Sequence, residues 1–405
     1  MKKILEISLG VVTSIGGFLE IGSITTAAQA GAEFGYQLLW AIALGGICII
    51  FLVEQGGRLS AVSKHTIPGA IRERFGFNYF LLMFLVVGLV SLLVFTAELG
   101  GVCIAIEFAT GIRYWWWAVP VGLVVWLLMW KGPFSLIEQG TSLLGLVTIS
   151  FIVGAIVMHP NWSSVARGAL PSLPAHDSAR YWFIAVSILG ASISPYLYFF
   201  YSSGAVEDHW DDSYINTNRV IAASGMSFGS LISIAVLILA ALVFPPRGLK
   251  VDEYSQLALL LQDAFGHWGF ILVTASLGIS CLGAALEIAL ELAYLAAQGF
   301  GWNWSKNQRP REEARFSLVY MVVIIIGVVI IAAGLDPLQL TIMSMALTAA
   351  TLPISIAPFL FLMNDPHYVA TYRNGWFSNT VVILIIALAS IVALVTIPLQ
   401  IFGGG

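Results

Sequence analysis

The chain has 405 residues, of which 59% are hydrophobic and only 10% are charged, with a formal net charge of −4. Soluble domains carry about 25% charged residues, so this composition excludes a water-soluble globular protein and predicts an integral membrane protein with many spans. The partner that it predicts is the lipid bilayer. We expect no nucleic-acid partner, and nothing in the chain calls for an obligatory protein partner.

Apolar runs of about 20 residues, the length that crosses a bilayer as a helix, divide the chain into eleven predicted spans. They cover about residues 4–30, 36–57, 79–108, 115–131, 138–158, 180–206, 219–244, 266–299, 315–334, 338–363 and 378–401. The third and eighth runs are longer than a simple crossing requires, so we expect these helices to tilt or to extend beyond the bilayer.

The first span contains an acid in its middle. Glu20 follows Gly16 and Gly17 and precedes Gly22 and Ser23. A carboxylate at bilayer depth is costly unless it faces a cavity, a partner or a bound ion. The glycines allow the helix to break there and free backbone carbonyls that can also coordinate an ion.

The sixth span contains a second predicted break, at Ser194 and Pro195. Pro195 cannot donate a backbone hydrogen bond, and it disfavours helical geometry in the residue before it. A proline kink needed only for packing is the plainer alternative. The pairing with Glu20 favours a function, because two interrupted spans in corresponding halves of a chain indicate a transporter's binding site.

The two breaks lie five spans apart, and an odd offset places the two halves upside-down relative to each other. We therefore predict one transporter domain over residues 1–405. It consists of a first repeat over about 4–158, a second over about 180–363, and an additional helix over about 378–401.

The placement of lysine and arginine predicts the orientation. With the N-terminus in the cytoplasm, that side holds thirteen of the 18 basic residues. The other five are Arg113, Arg167, Arg180, Arg247 and Lys250. We therefore expect a cytoplasmic N-terminus, an outside C-terminus and a location in a bacterial inner or plasma membrane.

Several motifs support a family resemblance over most of the chain. They are residues 29–40 (QAGAEFGYQLLW), residues 71–75 (IRERF), Ala97-Glu98, residues 189–191 (LGA) and the stretch from Leu352 to Asn374. On these residues the chain resembles the NRAMP superfamily of metal-ion transporters. The resemblance implies an all-α, LeuT-type bundle of two inverted five-helix repeats, with the first and sixth helices broken. It also implies a divalent metal cation as transported substrate, with no cofactor.

The chain departs from the family at the metal site. Where the family has Asp-Pro-Gly-Asn, residues 20–23 read Glu-Ile-Gly-Ser. Ala191, whose carbonyl coordinates metal in the family, is kept, while Ser194 replaces a methionine ligand. The resemblance thus implies a metal site of Glu20, Ser23, Ala191 and Ser194. Sulfur suits soft metals and oxygen suits hard ones. We therefore expect Mg²⁺ or Mn²⁺, and a site closest in character to the NRAMP-related magnesium transporters.

Proton coupling is expected to be weak or absent. The histidines of the family's sixth helix align with Tyr196 and Tyr201, and the acid that precedes Ala-Glu in the third helix aligns with Phe95. Neither tyrosine nor phenylalanine titrates near neutral pH.

Three further acids are candidates for the ion pathway. Glu98 matches a family glutamate in the third span, and Glu287 and Glu291 lie one turn apart on one side of the eighth span. A second cation site between the last two is one interpretation. The other is that one of them is protonated and its neighbour reaches an interface.

We expect no enzymatic activity, because the chain lacks the zinc-protease, nucleophile-elbow and phosphate-loop motifs. Two alternatives to a metal transporter stay open. One is a LeuT-fold, cation-coupled symporter for a small organic solute, although Glu20 would repel a substrate carboxylate. The other is a non-transporting membrane sensor, although the soluble appendage expected for signalling is not seen.

Overall fold

The computed structural model describes residues 20–131, 145–174, 176–306, 308 and 310–402, with side chains to residue 395. The regular structure of these ranges is helical throughout. In chain order the helices are α1 (Ile21–Phe34), α2 (Leu39–Ser63), α3 (Ile67–Phe75), α4 (Phe77–Thr110), α5 (Ala118–Lys131), α6 (Ile149–Val157), α7 (Trp162–Gly168), α8 (Ser178–Ser192), α9 (Pro195–Glu207), α10 (Ile215–Val243), α11 (Tyr254–Leu257), α12 (Gln262–Phe265), α13 (His267–Phe300), α14 (Ala314–Ala332), α15 (Pro337–Leu362), α16 (Pro366–Val369) and α17 (Trp376–Phe402).

Each of the eleven predicted spans contains helix in its described part, and the sixth is divided in two at Ile193 and Ser194. The first and fifth spans begin within residues 1–19 and 132–144, which lie outside the described residues. Both α4 and α13 have 34 residues, as their long apolar runs predicted. Within the described ranges, eight helical segments are long and apolar enough to cross a membrane. A ninth is added if residues 146–157 and α7, bent by 119°, form one span.

The outer helices present large apolar side chains to their surroundings. Examples are Leu85 and Leu89 on α4, Val329 on α14, and Leu384 and Leu394 on α17, all more than half exposed. Exposed apolar surface of this extent would aggregate in water, and it matches a hydrocarbon environment. The protein is therefore an integral membrane protein, as its composition predicted.

The two predicted breaks fall where helices begin and end. Glu20 has extended backbone angles (φ −110°, ψ 163°) and α1 begins directly after it. α8 ends at Ser192, Ser194 is extended (φ −62°, ψ 127°), and α9 starts with Pro195 in its first turn. Proline is suited to that position because its missing N–H would have no helical partner there.

Helix α15 packs closely against both breaks through Met345. A Cβ added to Gly22 in α1 would overlap the Met345 side chain, and one added to Gly190 in α8 would overlap its carbonyl oxygen. Glycine at these two positions thus lets three helices approach one another at the level of the breaks.

This close approach makes a testable prediction for stability. Gly190→Ala should lower the thermal melting temperature in detergent, because overpacking of this kind costs about 1–3 kcal/mol. Gly204→Ala in α9 is the matched control, since open space surrounds that position. The control should melt at or above the wild-type temperature, because alanine favours a helix interior over glycine by about 0.5–1 kcal/mol. Equal melting temperatures for the two variants would contradict the close contact between Gly190 and Met345.

Candidate functional site

The carboxylate of Glu20 lies inside the bundle, immediately before the first residue of α1. Its side chain is 0% exposed. The first N–H groups of a helix have no partners within that helix and carry a partial positive charge, which favours a nearby anionic group. The start of α1 therefore supplies some of the polarity that a buried carboxylate requires.

The hydroxyl of Ser194 joins the two breaks. Its Oγ lies 3.2 Å from Glu20 Oε1, 3.2 Å from the Gly190 carbonyl oxygen and 3.2 Å from the Ala191 carbonyl oxygen. A hydroxyl has one hydrogen, so it donates to one of these oxygens at a time. A carboxylate from the first break and a hydroxyl and two carbonyls from the second thus converge on one point.

Two buried oxygens near the start of α1 have no hydrogen-bond partner among the described residues, namely Glu20 Oε2 and Ser23 Oγ. Ser23 lies in the first turn of α1, and the structure does not bring its hydroxyl into hydrogen-bond contact with Glu20 or Ser194. Leaving a buried polar oxygen unpaired costs about 1–3 kcal/mol. A cation bound beside Ser194 would satisfy Glu20 Oε2.

Glu98 of α4 is the second acid at the first break. Its Oε1 accepts the Ile21 N–H at 2.8 Å, so the carboxylate caps the start of α1 from another helix. Its charge lies within electrostatic reach of Glu20, and the Cys281 thiol of α13 lies beside it. Its Oε2 is buried without a partner in the described part of the chain.

Sequence reasoning missed two neighbours of the site. The Tyr196 hydroxyl lies next to the Glu20 carboxylate, although Tyr196 had been considered only as a replaced histidine. Met345 of α15 is fully buried, and its side chain covers Gly22. The position of Tyr196 directly after Pro195 was an available signal for the first, but the packing of Met345 had no local signal.

The remaining predicted acids lie outside this cluster of oxygens. Glu287 and Glu291 are both buried on α13. The charge of Glu287 reaches Tyr196, whereas Glu291 lies beside Ser91 of α4 and near Tyr198 of α9.

The site is not a cluster of conventional metal-binding side chains. Within the described ranges, His, Cys, Asp and Glu form no group of three or more suited to a metal ion. The oxygens at the breaks come instead from one or two carboxylates together with hydroxyls and backbone carbonyls. That donor set is typical of hard-cation sites.

A lipid-facing helical bundle in which the start of one helix and the break in another meet at a buried carboxylate is typical of a membrane transporter. The family described as "Natural resistance-associated macrophage protein-like" (Nramp) matches residues 10–398. The chain therefore belongs to the Nramp family of metal-ion transporters, and it is a transporter and not an enzyme.

Comparisons with individual proteins agree with this family assignment. The divalent metal cation transporter MntH of Deinococcus radiodurans is 24% identical over 372 residues, which span 86% of this chain and 79% of MntH. The crystal structure of a manganese transporter from Eremococcus coleocola aligns with a TM-score of 0.81 and 21% identity, over 98% of this chain and 87% of that one. MhsT in complex with L-phenylalanine aligns with a TM-score of 0.58 and 13% identity, over 96% and 98% of the two chains. These likenesses establish the LeuT-type fold that the sequence predicted.

Proposed function

We propose that this protein moves a divalent metal cation across the membrane by alternating access, with Mg²⁺ or Mn²⁺ as the favoured ion. The observation that carries the proposal is the convergence of Glu20, Ser194 and the Ala191 carbonyl between two broken helices. The names of the two metal-transporting relatives, a divalent metal cation transporter and a manganese transporter, support it.

The proposed ligand set consists of oxygens. Glu20 supplies the charge, Ser23 and Ser194 supply hydroxyls, and Ala191 supplies its carbonyl, with water molecules completing the shell. Magnesium dehydrates reluctantly and is commonly held by one or two carboxylates with several waters retained. The orphan oxygens Glu20 Oε2 and Ser23 Oγ fit such an arrangement.

We propose that transport is weakly coupled or uncoupled to protons. Two of the three positions that would carry protons in the family make packing or hydrogen-bond contacts with other helices here. The Tyr201 hydroxyl donates to Asn218 Oδ1 at 2.9 Å, and the Phe95 ring packs against Gly327. The membrane potential can drive uptake alone, because a divalent ion gains about 4.6 kcal/mol over 100 mV, at about 2.3 kcal/mol per charge.

The proposed topology keeps the N-terminus cytoplasmic and the C-terminus outside in a bacterial membrane. It keeps the first repeat at about 4–158, the second at about 180–363 and the added helix at about 378–401. The breaks at Glu20 and Ser194, which occupy corresponding places in the two repeats, support this division.

Neutralising the proposed central ligand should abolish transport without unfolding the protein. We expect Glu20→Gln to lower metal uptake into proteoliposomes at least about 100-fold, which corresponds to about 2.7 kcal/mol. Size-exclusion elution and membrane insertion should match the wild type. Asp252→Asn, the same chemical change at an exposed residue, is the control and should transport normally. Normal uptake by Glu20→Gln would refute the site.

A thioether at position 194, where the family has one, should shift the ion preference towards soft metals. Ser194→Met is expected to raise the uptake of Cd²⁺ relative to Mg²⁺ and Mn²⁺ by about tenfold, because sulfur favours soft metals. Ser194→Leu introduces a side chain similar in size to methionine but without sulfur, so it separates the effect of sulfur from the effect of side-chain size. An unchanged ion ranking in Ser194→Met would contradict the argument.

Proton coupling can be measured directly. Proteoliposomes that contain a pH-sensitive dye should take up metal at an imposed potential of −100 mV without stoichiometric acidification of the interior. Empty liposomes provide the leak control. One proton or more entering with each metal ion would overturn the uncoupled mechanism.

A further inference from the structure

Helix α13 has a buried polar face that lies apart from the oxygens at the breaks. Its members are Ser280, Glu287, Glu291 and Gln298, spaced by seven, four and seven residues, so they lie on one side of the helix. All four are buried, although most of the helix is apolar. Ionisable residues inside a membrane are costly and usually line an ion or proton pathway.

Glu291 is the least compensated member of this face. Its side chain is 0% exposed, and neither carboxylate oxygen has a hydrogen-bond partner in the part of the chain that the structure describes. Ser91 of α4 lies beside it, and Tyr198 of α9 lies within reach of its charge. The Tyr198 hydroxyl is already engaged, since it donates to Ser355 Oγ at 2.7 Å. Two carboxylate oxygens and one serine hydroxyl thus lie together between three helices.

A narrow cavity relates this place to the breaks. Its volume is about 10 Å³, roughly the space of one water molecule. Its lining includes Ser194 and Tyr196 from the second break and Ser91 from α4. Because Ser91 also lies beside Glu291, this serine borders both the cavity and the second acid.

We propose that Glu291 and Ser91 form a second binding position for the transported divalent cation, which the ion occupies after it leaves the oxygens around Glu20. This inference rests on the proposed function. A carboxylate and a hydroxyl are oxygen ligands suited to a hard cation. Glu287 lies one turn from Glu291 and its charge reaches Tyr196, beside Glu20, so it bridges the two positions electrostatically.

The contacts at the far end of α9 indicate how the route is closed. Glu207, the last residue of α9, accepts hydrogen bonds from Tyr294 of α13 at 2.5 Å, from Ser305 Oγ at 2.5 Å and from the Lys306 N–H at 2.7 Å. These bonds tie the ends of α9 and α13 together. The second position therefore lies between the breaks and the end of the route that the Glu207 contacts close. An ion bound there would be released when α9 and α13 separate.

The experiment combines binding with transport. Mn²⁺ binding by isothermal titration and Mn²⁺ uptake by proteoliposomes are measured for the wild type, Glu291→Gln and the exposed control Asp252→Asn. We expect Glu291→Gln to keep the tight binding event within about twofold while its uptake falls about tenfold. In the Glu20→Gln background a weaker binding event should remain, and adding Glu291→Gln should remove it.

Two results would overturn the second position: wild-type uptake by Glu291→Gln, or weak Mn²⁺ binding that persists in the double variant. If Glu291→Gln lost a proton flux that the wild type shows while the weak Mn²⁺ binding was preserved, Glu291 would be a proton carrier. That result would also overturn the second position. If Glu291→Gln does not fold, Ser91→Ala tests the same position, with uptake expected to fall about threefold and unchanged uptake contradicting it. A wild-type protein that takes up no divalent metal would refute the proposed function itself, which distinguishes the two failures.

Discussion

The structure depends on one buried carboxylate at a place where one helix begins and another is interrupted. Glu20 lies before α1, and the Ser194 hydroxyl at the second break lies 3.2 Å from its Oε1. An intact helix would offer such a carboxylate no backbone groups, because all of them would be paired within the helix. The N–H groups at the start of α1 and the carbonyls at the end of α8 have no partners within their own helices, so they can interact with other groups. The buried charge and the broken helices therefore require each other.

The surroundings of the breaks hold this geometry in place. Glu98 reaches across from α4 to accept the Ile21 N–H, so the free end of α1 is capped by a different helix. Met345 covers Gly22 and approaches Gly190, which allows α15 to close the bundle at the same level. Packed interfaces of this kind favour a few discrete arrangements over continuous deformation. That property suits a site that must open to each side in turn.

Much of the fold was predictable from the sequence because the signals are local. Apolar runs of membrane length located the helices, and Pro195 located the second break to the residue. The contacts between distant helices were not predictable in this way. Nothing near Glu291 in the chain points to Ser91, two hundred residues earlier, and the covering of Gly22 by Met345 depends on how α15 packs. Local motifs thus located Glu20, Ala191 and Ser194, which the structure brings together, but not the residues that surround them or the connection to α13.

The balance of buried charge bears on the kind of substrate. The buried charged side chains of the described residues are Glu20, Arg58, Glu98, Glu287 and Glu291. Arg58 is paired with Glu54 at 3.0 Å, and the other four buried charged residues are all acids. They occur as two pairs, one at the first break and one a helical turn apart on α13. A divalent cation neutralises two charges at once and so matches each pair, whereas an organic solute that carried a carboxylate would be repelled at both positions. The buried acids are therefore better matched by a divalent cation than by an organic anion.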